Sequence, residues 1–553
     1  MLHRSLLLTA AAACVLCAQD DAGRRIDEIF QQGNKPGSPG AAVAVVRDGK
    51  LAYQKGYGAA NLEYDVPITP DTVFHVASVS KQVTAMSIVL LEQEGKLSLE
   101  DDVHKYLPEL PDYGKAVTIR NLLQHTSGIR DQWQTLGLAG WRLDDVITQK
   151  QILRMLFRQK ELNFAPGTRH LYSNGGYTLA AEIVARVSGK PLPEFCDEKI
   201  FRPLGMTRTH FHDDHRRIVH DRAYSYEAAA GGYRASPLNY ANVGATSLFT
   251  TAPDLAKWLD NFREPKVGGR AAVARLQEQA VLADGAKIDY ALGVSIGNCR
   301  GLRTISHGGS DAGYRSYVVW YPEQQLGIAV LSNLASFNTG SVANRVAAVY
   351  LEEQMTAEPA KSEPSKSQPA RTFIAIEPAA LDQYEGFYRL SNDMVIQVVK
   401  KGGKLLAAPP GAALLELQPM TPARFYAAPM QAELEFTPKP AKGMAMTLAT
   451  PLGNVDGERF GFAGFDPKDL DQYPGTYWSD ELETQYTIVL RDGKLVADHA
   501  HHGEIALTPV AKDQFRGAAW FMPDVRFVRD AGGKVTALTM GGNRVAGIRF
   551  VRR

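Results

Sequence analysis

Cysteine is scarce in this chain, and neither sign of charge is in excess. Only 4 of the 553 residues are cysteines, and Cys196 and Cys299 are the two that follow the N-terminal leader. They lack the C-x-x-C spacing of a redox or zinc motif, so the sequence allows either one disulfide or two buried thiols. Lys and Arg number 61 against 60 Asp and Glu, without a basic run interleaved with aromatic residues. The sequence therefore predicts no nucleic-acid partner.

Long hydrophobic runs are also missing. The apolar stretch at residues 5–18 is too short to cross a bilayer as a helix, and we expect no integral membrane segment. It follows a short positive end, a pattern typical of a secretory signal peptide, here residues 1–18. The residues before Cys14 and Cys17 fit a lipoprotein signal poorly. We therefore expect a periplasmic or secreted protein.

The length of the chain predicts several domains. A chain of 553 residues is too long for one core, so two to four domains are expected. Residues 356–372, TAEPAKSEPSKSQPART, repeat proline at every fifth position among Ser, Lys and Glu. Such a composition is typical of a semi-extended linker. It separates a first domain, residues 19–355, from a C-terminal part.

The C-terminal part contains an internal repeat. Residues 381–388 read LDQYEGFY and residues 470–477 read LDQYPGTY, and further matches keep the same offset of about ninety residues. Both copies alternate apolar and polar residues between Gly-rich turns. We therefore predict two small antiparallel β-barrels of lipocalin-like type, at residues 373–465 and 466–553.

The first domain begins and ends with strand-like segments. Asp48-Gly49, between two apolar runs, is a type I′ hairpin signal, and helical or polar stretches fill residues 80–290. Strands are then predicted at residues 291–297, 304–309, 314–321 and 327–331, followed by a helix at 341–353. This order predicts an α+β domain in which both ends of the chain close one antiparallel sheet.

The strongest chemical signal is Ser78-Val-Ser-Lys81. Residues at i and i+3 share a helix face, so the Lys81 amine can reach the Ser78 hydroxyl. Serine becomes an effective nucleophile when a neighbouring base takes its proton. The apolar stretch 82–94, ended by Gly95, predicts a buried helix with Ser78 at its N-terminus. The helix dipole there favours developing negative charge.

Several other motifs have simpler explanations. Gly293-Val-Ser295-Ile-Gly297 has the spacing of a nucleophile elbow, but an elbow joins a strand to a helix, and this motif lies between strand patterns. The His and Asp residues of 210–215 and the histidines of 499–502 fit no zinc spacing, so solvated loops are the better interpretation. His125 is interpreted as a packing and capping residue. We therefore predict no metal and no cofactor.

Two more motifs follow the first in a fixed order. Tyr172-Ser-Asn174 and His307-Gly-Gly309 come after Ser78 and Lys81. The ordered set resembles the serine β-lactamase and penicillin-binding-protein family of class C type, over about residues 35–353. The resemblance implies a β-lactamase-like α/β (α+β) catalytic domain with an antiparallel sheet and a helical subdomain.

The resemblance also implies a role for each matching residue. Ser78 would form an acyl-enzyme, and Lys81 would take its proton. Tyr172 would pass a proton to the leaving group, and Asn174 would orient Lys81 and bind substrate. The substrate-binding strand would consist of His307, Gly308, Gly309 and Ser310. The backbone N–H groups of Ser78 and Ser310 would form the oxyanion hole.

One position departs from the family pattern. His307 stands where the family carries the lysine of Lys-Thr-Gly, and a histidine is mostly neutral at pH 7. We therefore expect weaker binding of an anionic substrate group at this position.

A Ser-x-x-Lys domain with His-Gly-Gly and two barrels is similar to the bacterial D-aminopeptidases. In that family a loop of the last barrel enters the active-site cleft. The corresponding stretch here is residues 496–507, in which Asp498 and Glu504 are the only acids.

These features predict a serine hydrolase that acts through an acyl-enzyme on a small molecule or peptide. An amidase or peptidase of D-amino-acid-containing substrates is the first expectation. An esterase, a β-lactamase or DD-peptidase, and a penicillin-binding sensor that stays acylated are the alternatives. The sequence leaves the oligomeric state open, a homodimer included.

Overall fold

The structure is a computed structural model that divides into two compact units. The first unit comprises Met1–Leu136 and Trp141–Glu358, and the second comprises Gly137–Gly140 and Pro359–Arg553. The predicted signal peptide and nearly all of the predicted linker lie outside the described residues. The described residues are 21–31, 34–35, 37–356, 373–390, 395–409, 414–430, 432–440, 443–450, 453–460 and 467–553.

A six-stranded antiparallel sheet forms the centre of the first unit. Its order is β12-β13-β14-β15-β1-β2, so the first and last strands of the unit are neighbours, as predicted. Asp48 and Gly49 form the turn between β1 and β2 with φ of +50° and +77°, which fits the type I′ signal. The strands are β1 (Ala41–Arg47), β2 (Lys50–Tyr57), β12 (Ser295–Cys299), β13 (Leu302–Asp311), β14 (Tyr314–Tyr321) and β15 (Leu326–Ser332).

The predicted strand at residues 291–297 is wrong in its first half. Gly293 adopts a left-handed conformation with φ of +74°, and the Ala291 N–H donates to the Val294 carbonyl oxygen in a tight turn. A Cβ at Gly293 would lie 2.7 Å from the Lys81 carbonyl oxygen, so this turn packs directly against the helix that follows Ser78. The strand therefore begins only at Ser295.

The helix α2 lies in the core of the first unit. Nearly all side chains of α2 are buried, and Gly95 follows it with φ of +68°, as the predicted left-handed cap requires. The helices are α1 (residues 21–31), α2 (Ser80–Gln93), α3 (Ile119–Leu123), α4 (Gln132–Leu138), α5 (Gln149–Leu156), α6 (Asn174–Ser188), α7 (Leu192–Cys196), α8 (Arg202–Leu204), α9 (Ala252–Arg263), α10 (Gly269–Leu276) and α11 (Thr339–Leu351).

Short strands accompany these helices, and only small sheets result. The most relevant is a three-stranded sheet of order β5-β11-β7, whose strand β5 immediately precedes the Ser78 turn. The short strands are β3 (Ala59–Asn61), β4 (Val66–Pro67), β5 (Phe74–His75), β6 (Ile147–Thr148), β7 (His210–Phe211), β8 (Tyr226–Ala229), β9 (Gly232–Ala235), β10 (Tyr240–Ala241) and β11 (Leu248–Thr250).

The second unit contains two closed eight-stranded antiparallel barrels, which confirms the predicted layout. The repeat is visible in their hydrogen bonds: the Tyr388 hydroxyl donates to the Tyr384 carbonyl oxygen (2.8 Å), and Tyr477 donates to Tyr473 in the same way (2.7 Å). The first barrel consists of β16 (Gly386–Leu390), β17 (Val395–Lys401), β18 (Lys404–Ala408), β19 (Leu415–Pro419), β20 (Arg424–Ala427), β21 (Ala432–Lys439), β22 (Gly443–Thr450) and β23 (Gly453–Phe460). The second barrel consists of β24 (Gly475–Ser479), β25 (Thr484–Arg491), β26 (Lys494–His499), β27 (Gly503–Ala511), β28 (Gln514–Gly517), β29 (Asp524–Arg529), β30 (Val535–Gly542) and β31 (Val545–Arg552).

The four-residue segment Gly137–Gly140 is part of the second unit. Leu138 is completely buried within the hydrophobic cluster of the last barrel, and its carbonyl oxygen accepts a hydrogen bond from the Tyr486 hydroxyl (3.1 Å).

The predicted loop, residues 496–507, is a hairpin of β26 and β27, in which Glu504 is paired with Arg491 and Asp498 is exposed. Among the described residues, no helix is long and apolar enough to span a membrane.

Candidate active site

Ser78 lies in a strained turn between β5 and α2. Ala77, Ser78 and Val79 form a 3-10 turn, and the preceding Ala77 has φ of +48°, which is rare for a residue with a Cβ. Ser78 is half-buried, whereas the flanking Ala77 and Val79 are buried. The turn therefore presents the serine hydroxyl at the edge of the core, immediately before the N-terminus of α2.

β13 approaches this turn at Gly309. A Cβ at Gly309 would lie 2.3 Å from the Val76 carbonyl oxygen and 2.2 Å from Ser316 Oγ, so only glycine permits the contact. The Ser316 hydroxyl also donates to the Val76 carbonyl oxygen (2.7 Å). These contacts place the predicted His307–Ser310 strand beside Ser78.

The Lys81 amine is completely buried and hydrogen-bonded to three oxygen atoms. Nζ donates to Asn174 Oδ1 (2.8 Å) and to the Ala245 carbonyl oxygen (2.7 Å), and it lies within hydrogen-bonding distance of Ser78 Oγ (3.1 Å). The structure thus brings together Ser78, Lys81 and Asn174 as the sequence predicts. The motifs do not reveal Ala245 as a partner, because its contact is made by the backbone carbonyl group, which every residue type has.

Asn174 is held in turn by a buried carboxylate, that of Asp131. Asp131 Oδ2 accepts from the Asn174 backbone N–H (2.9 Å) and from Nδ2 (2.7 Å). Asp131 Oδ1 accepts from the Trp133 N–H at the start of α4 (3.0 Å). We call Lys81, Asn174 and Asp131 the polar wall of the site. The sequence signal for Asp131 is that of a helix cap, which does not identify its second partner.

Aromatic rings form the opposite side of the site. The Tyr172 ring lies 4.9 Å from Lys81 Nζ, and the His125 ring packs on it with centroids 4.1 Å apart. His125 Nδ1 accepts a hydrogen bond from the Ser173 N–H (3.2 Å), in line with a packing role. The ring of His307 lies 6.5 Å from that of Tyr172. We call His125, Tyr172, Tyr290 and His307 the aromatic wall.

Both ring nitrogens of His307 are hydrogen-bonded. Nδ1 lies 2.6 Å from the Gly308 carbonyl oxygen, which can only accept, so Nδ1 carries a proton. Nε2 lies 2.9 Å from the Tyr290 hydroxyl and accepts a hydrogen bond from it. Burial, together with the nearby Lys81 charge, lowers the pKa of His307 to about 4. Burial raises the pKa of Tyr290 well above its usual value, so its phenol remains a donor.

Comparisons with known proteins identify the family of the first unit. A family model described as beta-lactamase matches residues 26–352. The chain belongs to the beta-lactamase family. The predicted beta-lactamase-like fold is confirmed, and the predicted class of beta-lactamase-related serine hydrolase is confirmed at the level of the family.

Individual relatives in the beta-lactamase family cover different parts of the chain. A penicillin-binding protein of Bacillus subtilis (strain 168) is 28% identical over 432 residues, 75% of this chain and 93% of the relative. A D-aminopeptidase of Brucella anthropi is 31% identical over 314 residues, 56% of this chain and only 58% of the relative. A D-aminopeptidase of Brucella melitensis biotype 2 is 25% identical over 534 residues, 93% of this chain and 96% of the relative.

A solved structure extends the comparison. The octameric penicillin-binding protein homologue from Pyrococcus abyssi superposes with a TM-score of 0.55 at 25% identity, over 79% of this chain and 99% of that one.

The remaining candidate residues lie elsewhere. Ser295 is the first residue of β12 and is followed by another strand, so it is not at a nucleophile elbow. His210 and His212 contact each other (3.4 Å between ring nitrogens), and burial lowers the pKa of each to about 4. Among the described residues, no group of three or more His, Cys, Asp or Glu could hold a metal ion. Cys196 and Cys299 are both free thiols.

Proposed function

We propose that the protein is a serine amidase or peptidase that acts on D-amino-acid-containing substrates through an acyl-enzyme on Ser78. The observation that carries the proposal is the set of Lys81 contacts. A neutral amine has two N–H groups and one lone pair. If Asn174 Oδ1 and the Ala245 carbonyl oxygen take the two N–H groups, the lone pair is directed at Ser78 Oγ, 3.1 Å away. Lys81 is thereby arranged as the base for Ser78.

The remaining groups support a complete acylation and deacylation cycle. Ser78 Oγ attacks the substrate carbonyl carbon while its proton passes to Lys81, and the N–H groups of Ser78 and Ser310 stabilise the oxyanion. The C–N bond then breaks, the leaving amine takes a proton by way of Tyr172, and the acyl group stays on Ser78. Water attacks this ester with Tyr172 as the base, releases the acid product and restores the serine hydroxyl.

The open edge of β13 supports an extended substrate. β12 pairs with Leu302–Ser306 only, whereas β14 pairs along the opposite edge through Asp311. Within the described first unit, His307–Asp311 therefore have a strand on one side alone. Gly308 and Ser310 are exposed on this edge. A peptide or amide can lie along it as an additional strand.

The neutral state of His307 supports substrates without a carboxylate at this position. With a pKa of about 4, His307 supplies no positive charge at neutral pH. This argues against penicillins and D-Ala-D-Ala peptides as first substrates, and the D-aminopeptidase relatives favour substrates that end in an amine. The same neutral wall accepts uncharged esters, which makes an esterase the second candidate.

A side-by-side substrate panel tests the proposal. We expect the full chain to hydrolyse D-alanine p-nitroanilide in preference to p-nitrophenyl acetate and nitrocefin, with an acyl adduct on Ser78 detected by mass spectrometry. The Ser78→Ala variant should lose both turnover and the adduct. Preference for the ester identifies an esterase, preference for nitrocefin a β-lactamase, and a penicillin adduct that persists for hours a sensor. Hydrolysis of none of them, without an adduct, would refute the proposal.

A His307→Lys variant tests the substrate class. A lysine at this position places a cation opposite a substrate carboxylate, and an additional charge-assisted hydrogen bond corresponds to about tenfold in affinity or rate. We expect kcat/KM for carboxylate-bearing substrates to rise about tenfold relative to amine-ended ones. The matched His307→Gln variant keeps the site neutral and should leave the ratio unchanged. An unchanged ratio in both variants would contradict this role of His307.

A further inference from the structure

Three side chains outside the two walls, two of them buried, are joined in one hydrogen-bonded cluster. His75 Nε2 lies 3.0 Å from Asp311 Oδ2 and 3.1 Å from Thr246 Oγ1, and the Thr246 hydroxyl donates to Asp311 Oδ2. His75 is completely buried and Thr246 nearly so, whereas the Asp311 side chain is 14% exposed. We call these residues the His75 cluster.

The cluster joins the three segments that carry the proposed chemistry. His75 is the last residue of β5 and comes three residues before Ser78. Thr246 directly follows Ala245, whose carbonyl oxygen accepts from Lys81. Asp311 ends β13 directly after Ser310, the proposed oxyanion donor. The cluster therefore links the three segments through side chains, in addition to the backbone pairing of β5 with β11.

Each member of the cluster lies next to a strained residue. Ala77, Ser247 and Ala312 have φ of +48°, +68° and +47°, and each is within two residues of one cluster member. Such conformations in residues other than glycine persist only where the surrounding structure enforces them. Three independent chain segments are thus held in unfavourable conformations around one hydrogen-bonded group.

The donors and acceptors of the cluster agree with a fixed arrangement. The Thr246 hydroxyl has one proton, which goes to Asp311, so His75 must carry a proton on Nε2 to donate to the same oxygen. Within the described part of the chain, His75 Nδ1 has no hydrogen-bond partner. The Phe249 and Tyr314 rings, with centroids 5.3 and 5.5 Å from that of His75, pack against its ring.

We propose that His75, Thr246 and Asp311 are positioning residues that set the geometry of the Ser78 nucleophile, the Lys81 acceptor and the oxyanion strand for acylation. The proposal rests on the proposed acyl-enzyme at Ser78. The members of the cluster touch neither Ser78 Oγ nor Lys81 Nζ in the contacts described. Their effect is therefore expected on the acylation rate rather than on substrate binding.

Replacing Thr246 separates positioning from mere stability. Thr246→Val keeps the shape and removes the hydroxyl, whereas Thr246→Ser retains it. We expect the valine variant to lower the rate of Ser78 acylation about tenfold with KM changed less than about threefold, and the serine variant to restore most of the rate. Acylation is followed by quenched-flow mass spectrometry with the best acyl donor of the panel.

Thr209 supplies a matched control. Its buried hydroxyl lies 2.6 Å from Thr250 Oγ1 and donates to Asp254 Oδ2 (2.9 Å), a similar arrangement that includes no member of the His75 cluster. We expect Thr209→Val to lower the melting temperature as Thr246→Val does, but to leave the acylation rate unchanged. Equal acylation by Thr246→Val and the unmodified protein, or an equal loss in Thr209→Val, would overturn the proposal.

A second pair of variants covers the case in which Thr246→Val does not fold. His75→Gln places an amide N–H where Nε2–H lies, whereas His75→Leu places none. The glutamine variant should acylate at least about fivefold faster than the leucine variant. Equal rates would also overturn the proposal. If the unmodified protein forms no adduct with any acyl donor, the proposed function itself fails, and that outcome is distinct from both results.

Discussion

The polar wall and the aromatic wall of the site differ in charge. The polar wall holds an amine and a carboxylate, Lys81 and Asp131, joined through Asn174. The aromatic wall holds His307 as a neutral ring, because its pKa lies near 4, and Tyr290 as a neutral phenol. Charge is thus confined to the side from which Ser78 is activated.

This difference separates two tasks. Moving a proton from Ser78 requires an ionisable group with fixed partners, and the polar wall supplies these. Recognition of the substrate along β13 occurs against the aromatic wall, where a lysine of the family pattern would add a charge. Changes in the polar wall should therefore act mainly on the acylation rate, and changes at His307 and Tyr290 of the aromatic wall mainly on substrate choice and KM.

The largest effect is expected from Lys81→Met, which removes the amine but keeps an unbranched side chain of similar length. Because a positioned base contributes about 10²- to 10⁴-fold, acylation of Ser78 should fall by about 10³-fold. The rate of adduct formation is measured by mass spectrometry. Lys257→Met serves as the control, since Lys257 is paired with Asp254 outside the site. Near-normal acylation in Lys81→Met would show that the polar wall does not supply the base.

An intermediate effect is expected from Asp131→Asn. The substitution keeps the shape, but Asp131 accepts N–H groups on both oxygens, whereas an amide has one oxygen and one NH2 group. The NH2 group therefore faces either the N–H groups of Asn174 or the Trp133 N–H, and Asn174 is held less firmly for Lys81. We expect acylation to slow by about 10- to 100-fold, and the free energy of unfolding to fall by about 1–3 kcal/mol. Rates and urea unfolding are measured on the same samples.

Asp254→Asn is the matched control for Asp131→Asn. Asp254 is also a buried carboxylate that accepts a backbone N–H, that of Arg208 (2.9 Å). The Asp254→Asn variant should be less stable than the unmodified protein but should acylate Ser78 at the same rate. If both variants slow acylation equally, the Asp131 contact stabilises the fold and has no separate effect on Lys81.

A smaller effect is expected from Tyr290→Phe. The variant removes the donor to His307 Nε2 and leaves the ring packing intact. We expect KM to rise by about three- to tenfold with a smaller change in kcat, since the loss corresponds to one hydrogen bond. Tyr388→Phe removes an equally buried phenol hydrogen bond in the first barrel and should leave both constants unchanged. A fall confined to kcat would place Tyr290 with the polar wall instead.

The sequence predicts the charged and motif-bearing residues better than their partners. Ser78, Lys81, Asn174, Tyr172 and His307 can be found because their identities and order are informative. Ala245 acts through a backbone carbonyl, which any residue would supply. Tyr290 and the carboxylate of Asp131 reach the site from segments without a motif, and only tertiary packing brings them there.

The fold shows the same division between local and tertiary signals. The hairpin at Asp48 and Gly49 and both barrels were predictable, because turn chemistry and strand alternation are local. The turn at Gly293 was not predictable, because its left-handed conformation depends on close contact with the α2 backbone at Lys81. Nor does any local pattern predict that Leu138 is buried with the core of the last barrel. Contacts between segments distant in sequence decided both.

The smallest effect, on stability in mild acid, tests the neutrality of the aromatic wall directly. In the unfolded chain His307 takes up a proton near its ordinary pKa of about 6.5, whereas the folded protein resists protonation until about pH 4. Between these values the unfolded state binds more protons, so the free energy of unfolding must fall as the pH falls. His307→Gln removes this contribution, and the loss between pH 7 and 4.5 should be smaller than in the unmodified protein by about 1–2 kcal/mol. Replacing the exposed His220 by Gln should leave the loss as it is. If His307→Gln loses as much as the unmodified protein, His307 is protonated in the folded state, and the difference in charge between the two walls does not exist.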